Sequence, residues 1–321
     1  MKKDLRKFLA RTVLSNEDKS SVQNALRALR RSLSSVDSDV LKGEKFRLAL
    51  LGSHAEGLAF SGGDVDITIL FPASSLPEDG PPLRAFRQNL VRSLRSSISS
   101  LVSDGNELKV RDAVFHSRAP ILQLEHQNVK IDLTIENRMP VLKAALIRKL
   151  CGERYKPFLR LVKLWAGSRS VYGQRAGYPS GFAYGTLALF YLQLRGLVPA
   201  LSSTKFVSNG DDNALTESEI VDLLAGFFSY YATQHDWVRG MVSLQHGHVC
   251  RRPTPASLDQ DELDRVMKLY IVDPLEGPFV DLAGPYLTLN RQEKLKGEFK
   301  RAHQLLSTSM DVNELFENVN V

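Results

Sequence analysis

The chain has 321 residues, 43% of them hydrophobic and 24% charged, which is enough for two domains that each bury a core. No apolar stretch approaches the roughly 20 residues of a membrane span, so no membrane partner is expected. Two cysteines, Cys151 and Cys250, offer no disulfide framework and suit a reducing compartment, while the net charge of +6 favours a polyanionic partner.

The first fourteen residues, MKKDLRKFLARTVL, are basic, with Leu5, Phe8, Leu9, Val13 and Leu14 interleaved. They read either as a short mitochondrial targeting helix, with a cytoplasmic location as the alternative, or as the first helix of the fold; Asp4 speaks against a transit peptide. Ser15 to Lys19 reads as a break and a helix start, and Val22 to Leu33 carries apolar residues at helical spacing with arginines outside. Phe46 to Leu51 reads as a strand, closed by a Gly52-Ser53 turn. Val65 to Phe71 is β-branched and stops at Pro72, a second strand. Side chains two apart in a strand share a face, so Asp64 and Asp66 point together while Val65, Ile67 and Ile69 point to a core. Two adjacent carboxylates repel unless a cation sits between them, and hard oxygen ligands suit Mg²⁺ or Mn²⁺.

Leu83 to Leu101 sets Leu83, Phe86, Leu90, Leu94, Ile98 and Leu101 on one stripe, a helix packed on a sheet, with Arg84, Arg87, Arg92 and Arg95 outward as a solvated face. Val129 to Glu136 alternates strictly, with Lys130, Asp132, Thr134 and Glu136 on the polar side. If this strand lies beside the one with Asp64 and Asp66, three carboxylates converge and can hold two divalent ions about 3.5–4 Å apart, an arrangement for in-line phosphoryl transfer. Beyond Glu136 the pattern turns helical: Pro140 suits a first turn, Gly152 a stop and Pro157 a new start. Ser202 to Asn213 and Arg251 to Asp261 read as loops, and Thr216 with Glu219 as a capping box opening a helix through Tyr231. His246, His248 and Cys250 lack the spacing of a zinc site and are not read as one.

Gly52-Ser53, Asp64-Val65-Asp66 and the later Asp132 resemble the polymerase β type nucleotidyltransferase superfamily. Leu161 to Arg169, Gly177 to Leu192 and Val272 to Gly284 are similar, in order and spacing, to segments of terminal uridylyltransferases and related poly(A) polymerases. The short length is similar to minimal kinetoplastid terminal uridylyltransferases, including those of mitochondrial editosome-like complexes. The resemblance implies an α/β (α+β) fold with a mixed-sheet catalytic domain at 35–138, a mostly helical base-recognition domain at 139–321, and N-terminal helices (1–34) packed on the helical domain. It implies UTP in the cleft between the domains, two Mg²⁺ or Mn²⁺ ions, an RNA 3′ end as acceptor and a multiprotein RNA-processing, editosome-like complex as partner.

On that resemblance Asp64 and Asp66 ligate both metals, and Asp132 ligates the ion that activates the RNA 3′ hydroxyl. Gly52 and Ser53 meet the phosphates, Lys163 neutralises the triphosphate, Ser180 and Gly181 sit at a phosphate-binding helix start, and Phe182 stacks on the base. Asp273 and Glu276 face the Watson–Crick edge, where a carboxylate accepts from uracil N3–H or from an adenine amino group alike. Phe279 stands where relatives carry a histidine that discriminates the two bases. Gly63, Lys143, Ala144, Gly167 and Pro285 also depart from the family pattern, and Lys143 would supply positive charge lost elsewhere. A poly(A) polymerase using ATP is the alternative activity, and a catalytically inactive RNA-binding subunit the alternative class; three retained, mutually repelling aspartates argue against the latter.

Overall fold

The computed structural model describes residues 2–36, 41, 45–101, 107–117, 119–203, 213–253, 257, 259–284, 286–308 and 312–316. It divides into a sheet unit, Val13–Ala145, and a helical unit, Met1–Thr12 with Leu146–Val321.

In the sheet unit, strands β1 (Arg47–Leu50), β2 (Val65–Leu70), β3 (Leu108–Val114), β4 (Ile121–His126) and β5 (Val129–Ile135) form one mixed sheet in the order β1-β2-β5-β4-β3. The β2–β5 pair is parallel and the other pairs are antiparallel. Alternation sends Val65, Ile67, Ile69, Ile131, Leu133 and Ile135 to one face, all within 1% of full burial. Helices α2 (Asn16–Ser35) and α4 (Pro81–Leu101) cover that face with Ala25, Leu29, Leu33, Leu90, Val91, Leu94 and Ile98. The short α3 (Gly52–Glu56) links β1 to β2. Ser15 caps α2 through a capping box with Asp18.

Three expectations change here. The N-terminal helices do not act together: α1 (Lys2–Arg11) packs in the helical unit, with Phe8 4.6 Å from Phe316, whereas α2 carries an apolar stripe that completes the sheet's core. Glu136 is not on a solvated face but 2% exposed. Its carboxylate accepts from the Phe71 amide and from Arg138 Nε at 2.7 Å, and its carbonyl accepts from Arg87 at 2.7 Å. Arg87 therefore leaves the outward arginine row, because a buried carboxylate and a strand-end carbonyl need donors. Together these bonds tie the ends of β2 and β5 to α4 and to α5 (Arg138–Cys151).

In the helical unit, α6 (Lys156–Ser168), α7 (Gly181–Leu194), α8 (Glu217–Ser229) and α10 (Leu289–Thr308) surround an aromatic core. Trp165 lies 4.8 Å from both Phe228 and Phe299, and Phe227 lies 5.0 Å from Tyr231. Helix α7 is buried from Ala183 to Gln193, which is why its sequence is apolar on every side. Thr216 and Glu219 form the expected capping box, and α8 continues into a π turn, Tyr230–Gln234, past Tyr231. A small sheet, β7-β6-β8-β9, with β6 (Gly240–Val242), β7 (Cys250–Arg251), β8 (Tyr270–Asp273) and β9 (Gly277–Asp281), completes the unit along with α9 (Gln260–Val266) and α11 (Val312–Phe316). Most of the Ser202 to Asn213 loop and part of Arg251 to Asp261, with Pro285, lie outside the described residues.

His235 follows the π turn, wedged 5.3 Å from Tyr231 and 5.9 Å from Trp237. Burial pushes its imidazole down from 6.5 to about 4, against the opposing pull of Asp236 and with a smaller push from Arg252. Between these values the unfolded chain binds a proton that the folded chain refuses, so this part of the stability is complete above about pH 6.5 and falls toward pH 4. Denaturant unfolding at pH 7.5 and 5.0 should show wild type losing about 2 kcal/mol more than His235→Gln on acidification; equal losses would contradict a buried neutral imidazole.

Candidate active site

The sheet unit sets a carboxylate group by register. Asp66 on β2 and Asp132 on β5 are direct partners in the parallel ladder, both half-buried on the face opposite the core. Neighbouring strands lie ~4.8 Å apart, so the two carboxylates rise side by side. Gln123, across from Asp132 on β4, donates to its Oδ1 at 3.1 Å. Asp64 is exposed and sits just before β2 rather than within it.

Gly52 begins α3 with φ +52°, and Gly52-Ser53 is thus a helix start rather than a simple turn. A Cβ on Gly52 would lie 2.6 Å from Asp66 Oδ2, so the carboxylate rests directly on the glycine. The first intrahelical bond runs from the Ala55 amide to the Leu51 carbonyl, which places the Gly52 and Ser53 amides ahead of the ladder, as suits phosphate oxygens.

The donor set fits divalent ions with hard oxygen preference: three carboxylates, two of them in register. Among the described residues no three His, Cys, Asp or Glu side chains stand as a closed metal cage. The His246 and His248 rings are 5.8 Å apart.

The helical unit holds the second group. Lys163 is 4% exposed, not a surface lysine, and its side chain runs to the start of α7. A Cβ on Gly181 would lie 3.4 Å from Lys163 Nζ and 2.5 Å from Tyr172 Oη, so both side-chain ends rest against this glycine and Tyr172 would have to shift to admit a larger residue. Ser180 caps α7 by accepting from the Ala183 amide at 3.3 Å, and its hydroxyl hydrogen can still donate to an anion. An ammonium beside a helix N-terminus concentrates positive potential at one point. Phe182 is half-buried at the same helix start rather than in the core. Tyr172, 38% exposed and stacked 6.0 Å from Tyr184, belongs to this group and was missed, since nothing in its local sequence marks it.

Lys143 is half-buried on α5, next to Ala144, which is 1% exposed. Gly167 lies one turn beyond Lys163 on α6, with open space where a side chain would go. Asp273 ends β8, 1% exposed, and its Oδ1 accepts from the Leu275 amide at 3.0 Å and the Glu276 amide at 3.1 Å, shaping the β8–β9 turn. Glu276 is half-buried on that turn and Phe279 is 94% exposed on β9.

Comparison with known proteins agrees with this arrangement. The model of the poly(A) RNA polymerase, mitochondrial-like, central palm domain matches residues 1–151, and that of the Cid1 family poly A polymerase matches residues 219–277. Over these two segments the chain is similar to poly(A) RNA polymerases and to the Cid1 family. It is 24% identical to the Cid1-type terminal uridylyltransferase cid1 of Schizosaccharomyces pombe, covering 96% of this chain and 80% of that one. It is 24% identical to the poly(A) RNA polymerase GLD2 of Rattus norvegicus, over 64% of this chain and 45% of that one. The chain spans less than half the length of the first curated relatives that it matches. A crystal structure of the Cid1 poly(U) polymerase with MgGTP bound superposes with a TM-score of 0.73 at 21% identity, covering 99% of this chain and 98% of the other, a likeness of fold.

Gly52→Ala tests the contact with Asp66. The substitution costs stability by about 1–2 kcal/mol through its positive φ, and it displaces the carboxylate. The Mg²⁺ concentration needed for half-maximal nucleotide transfer should rise about 10- to 100-fold; an unchanged Mg²⁺ requirement would show that Asp66 does not depend on Gly52.

Proposed function

We propose that this protein is a template-independent RNA 3′-terminal uridylyltransferase. The observation that carries the reading is the register of Asp66 against Asp132, with Gly52 under the Asp66 carboxylate. Two Mg²⁺ or Mn²⁺ ions on Asp64, Asp66 and Asp132 would supply charge to the attacking and leaving oxygens of an in-line displacement. Asp132, oriented by Gln123, accepts the proton of the RNA 3′ hydroxyl as its oxygen bonds to the α-phosphorus of UTP. The bond to the β-phosphate bridging oxygen breaks, and pyrophosphate leaves. On the sheet unit the amides of Gly52 and Ser53 offer donors to phosphate oxygens, and on the helical unit the Lys163 ammonium and the Ser180–Gly181 helix start form an anion-binding group of their own that suits a triphosphate. Phe182 provides a ring for the base, Lys143 a cation for the phosphate or ribose side, and Asp273 holds the turn that carries Glu276 toward the base edge.

Solved relatives support a uridylyl substrate: Cid1 has been crystallised with a UTP analogue and with the short product ApU. A second reading, a poly(A) polymerase using ATP, is favoured by one observation. Phe279, fully presented on β9, cannot make the hydrogen bond of the histidine that it replaces, and GLD2 poly(A) polymerases are among the relatives. The basic α1 supports a mitochondrial location, and a multiprotein, editosome-like complex as partner belongs to the same proposal.

Incorporation of each labelled ribonucleoside triphosphate onto a single-stranded RNA primer separates these readings. UTP should be used by wild type and no nucleotide by Asp132→Ala, and Lys163→Met should raise the KM for UTP about 10- to 100-fold through loss of a charged hydrogen bond. Preference for ATP would move the assignment to poly(A) polymerase, and no incorporation by wild type would overturn both.

A further inference from the structure

On the sheet unit, away from the aspartate face, α2 and the β4–β5 hairpin enclose a groove of about 490 Å³. Arg27, Arg30 and Arg31 form its wall, with Asn24, His126 and Gln127 beside them. The three arginines follow helical spacing on the exposed side of α2, while Ala25, Ala28, Leu29 and Leu33 hold the other side in the core. Among the described residues Glu107 is the one acid lining the groove, and it is paired with His126 Nε2 at 3.0 Å. Among the described residues no carboxylate pairs with the three guanidiniums, and the contact recorded is from Arg27 to Asn24 Oδ1 at 3.1 Å.

Positive charge continues from this groove toward the aspartates. Lys130 lies two residues before Asp132 on the same face of β5, about 7 Å along the strand. In the ladder Glu125 faces Lys130 on one side and Lys109 on the other, and it also pairs with Arg111 at 3.2 Å, so three cations surround one acid at the hairpin end of the sheet. The β4–β5 turn, with Gln127 at φ +54°, joins this rim to the arginine groove.

We propose that the groove of Arg27, Arg30 and Arg31 binds the phosphate backbone of the RNA upstream of its 3′ end. This rests on the reading of the protein as an RNA nucleotidyltransferase. Guanidinium forks match phosphate oxygens two at a time. The described residues that line the groove are all charged or polar in type, with no aliphatic or aromatic side chain of the kind a protein partner uses as its energetic centre. A backbone with one charge per nucleotide and no need for an apolar pocket is the complementary occupant.

The test reads binding rather than turnover, so it is decided separately from nucleotide transfer. Full-length protein is titrated into a fluorescent single-stranded RNA of about 20 nucleotides without triphosphate, between 50 and 200 mM salt. Loss of three phosphate contacts reduces the slope of log K against log salt by about 2, so the advantage of wild type over the triple variant Arg27→Gln, Arg30→Gln, Arg31→Gln should shrink about 20-fold across that range. The triple Arg→Lys variant should keep the wild-type slope. A wild-type slope in the glutamine variant, or equal loss in the lysine variant, would overturn the proposal. So would displacement of RNA by polyglutamate of matched length at equal concentration, which would assign the groove to acidic protein segments.

Discussion

The parallel pairing of β2 with β5 is the constraint on which the rest of the sheet unit depends. It sets Asp66 opposite Asp132, and a slip of one residue in either strand would send an aspartate into the core and an aliphatic residue to the solvated face. Two carboxylates ~5 Å apart repel by about 3 kcal/mol at an effective dielectric of about 20. Against this stand Val65, Ile67, Ile69, Ile131, Leu133 and Ile135, each worth about 1.5–3 kcal/mol when buried. The core decides the register by a wide margin, and the carboxylates are carried to their positions by the packing on the other face. Stability and chemistry are thus assigned to opposite faces of the same two strands.

The ends of those strands are fixed by a different device. Glu136 buries a charge where β5 stops, and such a charge costs several kcal/mol unless it is paired and hydrogen-bonded. Here the Phe71 amide, Arg138 and the Arg87 bond to the adjacent carbonyl satisfy it. The left-handed backbone of Glu136, φ +50°, adds local strain that this network holds. The result is a clasp joining β2, β5, α4 and α5 a few residues beyond the aspartates.

Periodicity made much of this legible beforehand. The alternation through Val129–Ile135 and the β-branched run through Val65–Leu70 gave both strands, and the break at Ser15 to Lys19 and the capping box at Thr216 gave two helix starts. Strand order was not in any local pattern, because pairing of β2 with β5 joins segments some sixty residues apart. Glu136 was misplaced because a charged residue at a strand end reads as solvated unless its distant partners are known. Tyr172 was invisible for the same cause, since its neighbours Gly181 and Lys163 meet it only in the folded helical unit. Assignment of α2 to the helical unit failed because its stripe says that it packs, not on what.

Base selection follows from how the β8–β9 turn is built. One oxygen of Asp273 is committed to the Leu275 and Glu276 amides, so Asp273 acts first as the residue that fixes the turn. Glu276 is then the carboxylate that this turn presents. On the uridylyl reading it must be met by a donor on the base, and uracil N3–H and the adenine amino group both qualify. Strong discrimination arises where a wrong base leaves a buried polar group unpaired. Phe279, 94% exposed, has no polar group to leave unpaired, so it contributes no such penalty. On the proposed reading, discrimination is carried by the Glu276 carboxylate that the Asp273 turn presents and by the ring of Phe182, rather than by a second hydrogen-bonding residue at the position of Phe279.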